Sequence, residues 1–172
     1  MADERDDTAD DREAAGLRTL ESAAGFREAL LELLQGAHRQ VCIYSENLCP
    51  TLYNDPRVTE ALSAFARRSR YTDLQILVRD SETLGREFNR THHLAQRLCS
   101  RIQLRSITPT SETPQQEFVL ADGKQVLLRE DRDQWLGIYD PRDRVRARRL
   151  EEVFRQEWER ASLDPALRRL DL

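Results

Sequence analysis

The sequence has no long hydrophobic run. Of its 172 residues, 39% are hydrophobic and 34% are charged, and no apolar stretch approaches the roughly 20 residues that a membrane-spanning helix needs. The opening stretch, MADERDDTADDREAAG, also lacks the apolar segment of a signal peptide. We therefore expect a cytoplasmic protein without a membrane partner, built as one domain around a single core.

Cysteine and lysine are both scarce. The three cysteines, Cys42, Cys49 and Cys99, are an odd number without CxxC spacing, which argues against a zinc knuckle and against a disulfide framework. We expect no metal and no cofactor. Lys124 is the one lysine beside 26 arginines, a bias that codon usage in a GC-rich genome explains more simply than an arginine-specific function.

Charge is unevenly distributed along the chain. Residues 1–14 contain seven acidic residues and two arginines, whereas the remainder contains 25 basic and 24 acidic residues. An acidic block of this kind has little apolar surface to bury and usually stays disordered. We predict an acidic disordered tail over residues 1–16, a single domain over 17–163 and a short C-terminal tail over 164–172. The acidic tail is interpreted either as solubilising or as a docking or autoinhibitory segment.

Hydrophobic periodicity predicts alternating helices and strands, followed by a run of strands. The predicted helices cover 22–36, a segment that Asp55 caps, 81–100 with Ser81 as its cap, and a final helix after Asp140. The predicted strands cover 40–45, 73–80, 101–107, 116–121, 124–130 and 134–139. This order predicts an α/β fold, with a mixed sheet flanked by helices on both faces.

The stretch TPQQEFVLADGKQVLLRED, residues 113–131, predicts a hairpin around a two-residue Asp122-Gly123 turn. We expect Phe118, Leu120, Val126 and Leu128 to point toward one buried face, and the polar positions to be free to change.

With the element order, this hairpin resembles the second half of a phospholipase D-like domain. That superfamily carries the motif H-x-K-x-x-x-x-D, whose aspartate often stands in a D-G turn. Asp122 matches the aspartate, but Gln115 stands at the histidine position and Glu117 at the lysine position. The Gly-Ser that often follows is replaced by Arg129 and Glu130. More narrowly, the chain resembles a small, uncharacterised bacterial family with a degenerate motif.

The resemblance implies a lost reaction. In the superfamily the histidine is the nucleophile and the lysine neutralises phosphate oxygens. Glutamine cannot replace that nucleophile, and Glu117 would repel a phosphate by about 4 kcal/mol at about 4 Å. We expect no catalytic residue and a non-catalytic module that acts through protein interaction or regulation, as a homodimer. The alternatives are a nucleic-acid-binding remnant of a nuclease-like ancestor, and a phosphodiesterase-related enzyme that uses Glu117 with Asp122.

Two further groups of residues are candidates for binding. Ser45, Glu46, Asn47 and Tyr53 follow the first buried strand, and ligand sites in α/β sheets gather at the carboxyl ends of strands. We therefore interpret this stretch either as a binding cleft or as a conventional loop that leads into the next helix. Residues 101–107 alternate, and the side chains of Arg101, Gln103 and Arg105 are predicted to form a wet face that could bind nucleic acid.

Overall fold

A computed structural model describes residues 16–163 of the chain. Seven strands form one mixed sheet in the order β1-β7-β6-β5-β2-β3-β4. The predicted α/β class is confirmed. The two predicted tails lie outside the described residues, apart from Gly16, and the domain limits remain a prediction.

The strands are β1 Arg18–Leu20, β2 Gln40–Ser45, β3 Asp73–Val78, β4 Ile102–Ser106, β5 Glu117–Ala121, β6 Gln125–Arg129 and β7 Gly137–Asp140. Strands β2, β3 and β4 run parallel, whereas β5, β6, β7 and β1 are added in antiparallel pairs. The sequence patterns did not predict β1, because three residues are too few to show an alternation.

The helices are α1 Ala23–Gly36, α2 Pro50–Tyr53, α3 Pro56–Arg67, α4 Ser81–Arg86, α5 Arg90–Arg97 and α6 Arg144–Arg160. The short α2 lies in a stretch expected to be a loop. None of the helices in the described part of the chain is long and apolar enough to cross a membrane.

The helices begin at side chains that can cap them, and one predicted helix is corrected. Asp55 caps α3 as predicted, accepting a hydrogen bond from the backbone N–H of Arg57. The predicted single helix over 81–100 is wrong, because the chain breaks into α4 and α5. Asp80, not Ser81, caps α4, and Asn89 caps α5 by accepting from the N–H of His92. Asn89, which caps α5, therefore also marks the point where the predicted helix is interrupted.

The sheet is covered on both faces. Helices α1, α3 and α5 pack with one face of the sheet in a core that includes Ile43, Ile76, Val119 and Leu127. Helix α6 packs on the other face, against the hairpin residues predicted to be core: Phe118, Leu120, Val126 and Leu128. All ten residues of β5 and β6 are buried, so the expectation that the hairpin's polar positions are free to change is wrong.

The hairpin turn is one residue longer than predicted. Ala121 pairs with Gln125, so that Asp122, Gly123 and Lys124 form the loop. Both Asp122 and Gly123 have positive φ angles, of 55° and 67°, which explains why this dipeptide occupies the turn. The extra residue shifts the register of β6 against β5, and Glu117 consequently lies opposite Arg129.

Candidate functional site

The site begins with Glu117, the first residue of β5, which is only 9% exposed. β5 pairs with β2, and this brings the carboxylate to the carboxyl end of β2. The Ser45 hydroxyl donates to Glu117 Oε2 at 2.6 Å, and the backbone N–H of Glu46 donates to the same oxygen at 2.9 Å. The other oxygen, Oε1, lies 3.2 Å from Nη1 of Arg129. Both carboxylate oxygens are thus bound within the protein.

Arg129 is held equally firmly. Its Nε donates to the carbonyl of Gln134 at 2.7 Å, and Nη2 donates to the carbonyl of Arg132. The guanidinium lies 3.8 Å from the centroid of the Trp135 ring, at a distance typical of a cation–π contact. Each nitrogen atom of the Arg129 guanidinium therefore has a partner within the protein, and only 6% of the residue is exposed.

A second ion-pair network lies beside the first. Arg79, 4% exposed, donates to the carbonyl of Pro114 at 2.7 Å and pairs with Glu46 at 3.0 Å. Glu46 also pairs with the more exposed Arg132 at 2.6 Å. The two networks share the loops that follow β2 and β6, so these charges fix one loop against another.

The predicted cleft is partly assembled. Ser45 and Glu46 join the networks, and Tyr53 lines a small cavity together with Glu117 and Arg129. Burial raises the pKa of Tyr53 far above its usual range, so its hydroxyl stays neutral. Asn47 lies half-buried in the same loop.

The three degenerate-motif positions do not converge. Gln115 is exposed, and its carbonyl accepts from Arg79 Nη2 at 3.3 Å. Asp122 lies at the opposite end of β5, where it accepts from the backbone N–H groups of His38, Arg39 and Gln40 at 2.8 to 3.0 Å. Burial alone would raise the pKa of Asp122, but these three hydrogen bonds hold it below its usual value. Asp122 therefore has a structural role in fixing the hairpin to the start of β2.

The structure does not unite the predicted arginine face. Arg101 Nη1 donates to the carbonyls of Ala66 and Ser69, at the C-terminal end of α3. Arg105 instead donates to the carbonyl of Trp158 and lies 4.4 Å from the centroid of its ring, at the end of α6. Gln103 is exposed between them. The two guanidinium groups thus cap different helices, and nucleic-acid binding at this face remains a prediction.

Metal chemistry finds no support in the described residues 16–163. No group of three or more His, Cys, Asp or Glu side chains there could hold a metal ion. The adjacent His92 and His93 diverge, the first buried and the second exposed, with ring centroids 6.4 Å apart.

Solved structures with this architecture define the class of fold. NucT from Helicobacter pylori has a TM-score of 0.61 at 12% identity, covering 84% of this chain and 96% of its own. Nuc from Salmonella typhimurium, a phospholipase D family member, has a TM-score of 0.54 at 14% identity, with 86% and 96% covered. At such identities the likeness concerns the fold alone, and it confirms the resemblance to a phospholipase D-like domain.

A third similar structure is TrmBL2, an archaeal chromatin protein with a novel mode of DNA binding. Its TM-score is 0.61 at 14% identity, and it matches 85% of this chain. The present chain spans about half of TrmBL2, 52% of that chain.

The family model "Domain of unknown function (DUF7931)" matches residues 22–170, and the chain belongs to that family. No curated protein matches the sequence.

Sequence reasoning identified Glu117 but missed what holds it. Arg129 was noted only as a replacement of a glycine, and Arg79, Arg132 and Trp135 were not noted as site residues. A signal was present, since a three-residue loop would have placed Glu117 opposite Arg129 as a charge pair across the hairpin.

Proposed function

We propose that this protein is a non-catalytic phospholipase D-like module that acts by binding a partner. One observation carries the proposal: the carboxylate of Glu117 stands where the resemblance places the phosphate-binding lysine, and Ser45, Glu46 and Arg129 hold it there. A substrate phosphate would meet a buried anion, and the guanidinium group of Arg129 beside it is already paired with that anion. Electrostatic stabilisation of a phosphoryl group is the main task of such a site, and here the guanidinium groups of both Arg129 and Arg79 are already paired with carboxylates.

The alternative of an altered enzyme loses its geometric basis. Glu117 and Asp122 were expected to approach one cleft, but they lie at the two ends of β5, about 16 Å apart at the usual rise of about 3.3 Å per residue. Asp122 is moreover bound to three backbone N–H groups. We therefore do not propose an acid–base or metal-binding pair of these two residues.

A hydrolysis assay tests the proposal directly. The purified protein is incubated with bis(p-nitrophenyl) phosphate and with labelled DNA, beside Gln115→Ala and the matched control Gln116→Ala, which replaces the exposed neighbouring residue. We expect no turnover above buffer for any of the three. Turnover by the wild-type protein that Gln115→Ala abolishes and Gln116→Ala leaves intact would overturn the proposal, since neither exposed glutamine is part of the core.

The class of partner is a separate proposal. A homodimer follows from the pairing of half-domains in the superfamily, and multi-angle light scattering tests it against the monomer mass of 20.1 kDa. Nucleic acid is the second candidate, and the observation that favours it is the fold shared with the DNA-binding TrmBL2 and with phospholipase D family members. A single species of monomer mass across the concentration range would exclude the homodimer.

A further inference from the structure

Positive charge is concentrated at one end of the sheet. The segments 37–39, 67–73, 97–101, 121–124 and 140–144 meet where β2, β3 and β4 begin, and we call them the basic end. They contain nine basic residues and four acidic ones, a net charge of +5. The basic residues are Arg39, Arg67, Arg68, Arg70, Arg97, Arg101, Lys124, Arg142 and Arg144.

The opposite end of the sheet, which holds the Glu117–Arg129 pair, is acidic. Its segments 45–57, 79–90, 107–117 and 129–136 contain ten acidic residues and six arginines, a net charge of −4. A nearly neutral domain is therefore strongly polarised along its strands. The near-neutral net charge, which argues against binding a polyanion, hides this separation.

Three of the four acidic residues of the basic end accept hydrogen bonds from backbone N–H groups. Asp122 binds backbone N–H groups at the start of β2, Asp143 caps α6 by accepting from the N–H of Arg146, and Asp140 accepts from the N–H of Arg142. Within residues 16–163, none of the nine basic side chains forms an ion pair with a carboxylate, whereas Arg27, Arg57, Arg79, Arg86, Arg129 and Arg132 do so elsewhere.

Two of these nine cations lie where they do not stabilise the fold. Arg142 and Arg144 lie at the N-terminal end of α6, whose first turn has no acidic residue. The helix dipole is positive there, so cations at this position are unfavourable. Arg101, in contrast, binds carbonyls at the C-terminal end of α3. The charge of Arg142 and Arg144 is therefore better explained by an external anion than by folding.

An exposed aromatic ring lies within the basic end. Tyr71 is 72% exposed, with the guanidinium of Arg70 4.8 Å from its centroid. Tyr71 and Ser69 line a cleft with His38 and Arg39. Cations that follow a phosphate backbone, beside a ring on which a base can stack, are what proteins use to bind single-stranded nucleic acid. Arginine forks suit phosphate and carboxylate alike, but the carboxylate side chains of an acidic peptide offer no planar ring on which Tyr71 can stack.

We propose that the basic end binds the phosphate backbone of single-stranded nucleic acid, with Tyr71 stacking on an unpaired base. This surface includes Asp122 but lies at the other end of the strands from Gln115 and Glu117. The proposal therefore does not depend on whether the acidic end hydrolyses a substrate, and the hydrolysis and binding assays can fail independently.

The test is fluorescence anisotropy with labelled single-stranded and duplex DNA of random sequence and with labelled poly-glutamate, in a series of salt concentrations. The basic-end variant carries Arg39→Gln, Arg142→Gln and Arg144→Gln, at exposed positions. The matched control carries Arg86→Gln, Arg90→Gln and Arg160→Gln, which changes the net charge equally at exposed positions toward the acidic end. Tyr71→Ala is the third variant, and circular dichroism confirms that each variant folds.

We expect the wild-type protein and the control to bind single-stranded DNA with equal affinity. In the basic-end variant, the slope of log affinity against log salt should be smaller in magnitude by about 2 to 3, because each lost phosphate contact removes roughly 0.7 to 0.9. Tyr71→Ala should weaken single-strand binding by about tenfold and leave duplex binding unchanged. Any of three outcomes would overturn the proposal. The two triple variants could lose affinity equally, the wild-type protein could fail to bind, or poly-glutamate could bind more tightly than DNA.

Discussion

Glu117 and Arg129 lie directly opposite each other on β5 and β6, with Oε1 and Nη1 3.2 Å apart. Both side chains are nearly inaccessible to solvent. Their carboxylate and guanidinium are bound on their other sides by Ser45, the Glu46 backbone and two loop carbonyls. The pair thus holds the loops that follow β2 and β6 together.

Removing one partner of this ion pair should lower the free energy of unfolding far more than replacing both partners together. In Arg129→Met, the buried carboxylate of Glu117 loses its cation, and we expect the free energy of unfolding to fall by about 3 to 5 kcal/mol. The double variant Glu117→Gln/Arg129→Met should lose clearly less than the sum of the two single variants, because no unpaired charge remains. Urea denaturation of all four proteins measures the coupling.

Glu28→Gln is the control for this cycle. It removes an exposed ion pair with Arg57, and such pairs contribute little, so we expect almost no change in the urea midpoint. Strict additivity of the Glu117 and Arg129 substitutions would contradict the ion-pair account of the site.

Asp122 should make the stability depend on pH. Asp122→Asn keeps a residue that tolerates positive φ, but one carboxylate oxygen becomes an N–H₂ group facing a backbone donor. We expect a loss of about 1 kcal/mol at neutral pH, modest because solvent partly screens the carboxylate. Since its pKa is lowered in the folded protein, the advantage of aspartate is present above the unfolded pKa of about 3.9. It is lost as the pH falls through the lower folded value.

Thermal unfolding of wild type and Asp122→Asn between neutral and strongly acidic pH measures this effect. The melting temperatures of the two proteins should become equal at low pH. A difference that stays constant over the whole range would show that the carboxylate charge is not involved.

Gly137 should tolerate no side chain. A Cβ atom at this position would lie 1.9 Å from the carbonyl oxygen of Leu128 and 2.9 Å from Cζ of Phe26. Gly137→Ala must therefore push β7 away from β6, and we expect a loss of about 3 kcal/mol or more of stability. Gly123→Asn is the matched control, because nothing lies within 4 Å there and asparagine tolerates its positive φ. Equal melting temperatures for the two variants would contradict the predicted clash.

The acidic N-terminal segment should weaken nucleic-acid binding. Gly16 lies against Pro141 at the basic end, so the seven acidic residues that precede it are attached to the chain at that surface. Replacing Asp3, Asp6, Asp7, Asp10 and Asp11 with asparagine in the full chain should raise affinity for single-stranded DNA at low salt. The gain should vanish at high salt, where screening removes the competition. Unchanged affinity at low salt would indicate a solubilising segment only.

Local patterns determined much of this fold. The apolar runs of β2 and β3, the aspartate caps of α3 and α6, and the positive-φ pair Asp122-Gly123 each depend on neighbouring residues, and such features are readable from sequence. The presence of Gln115 where the resemblance places a histidine was equally plain, because the identity of a residue needs no structure.

Only the tertiary structure decided which residues of the site contact one another. One additional loop residue changes the partner of Glu117 from Leu128 to Arg129, and no local propensity distinguishes these two registers reliably. The polarity of the molecule was hidden for a related reason: basic residues from five separate segments gather only when the parallel and antiparallel strands align their ends. A sequence lists charges in order, whereas strand direction and register determine which of them meet.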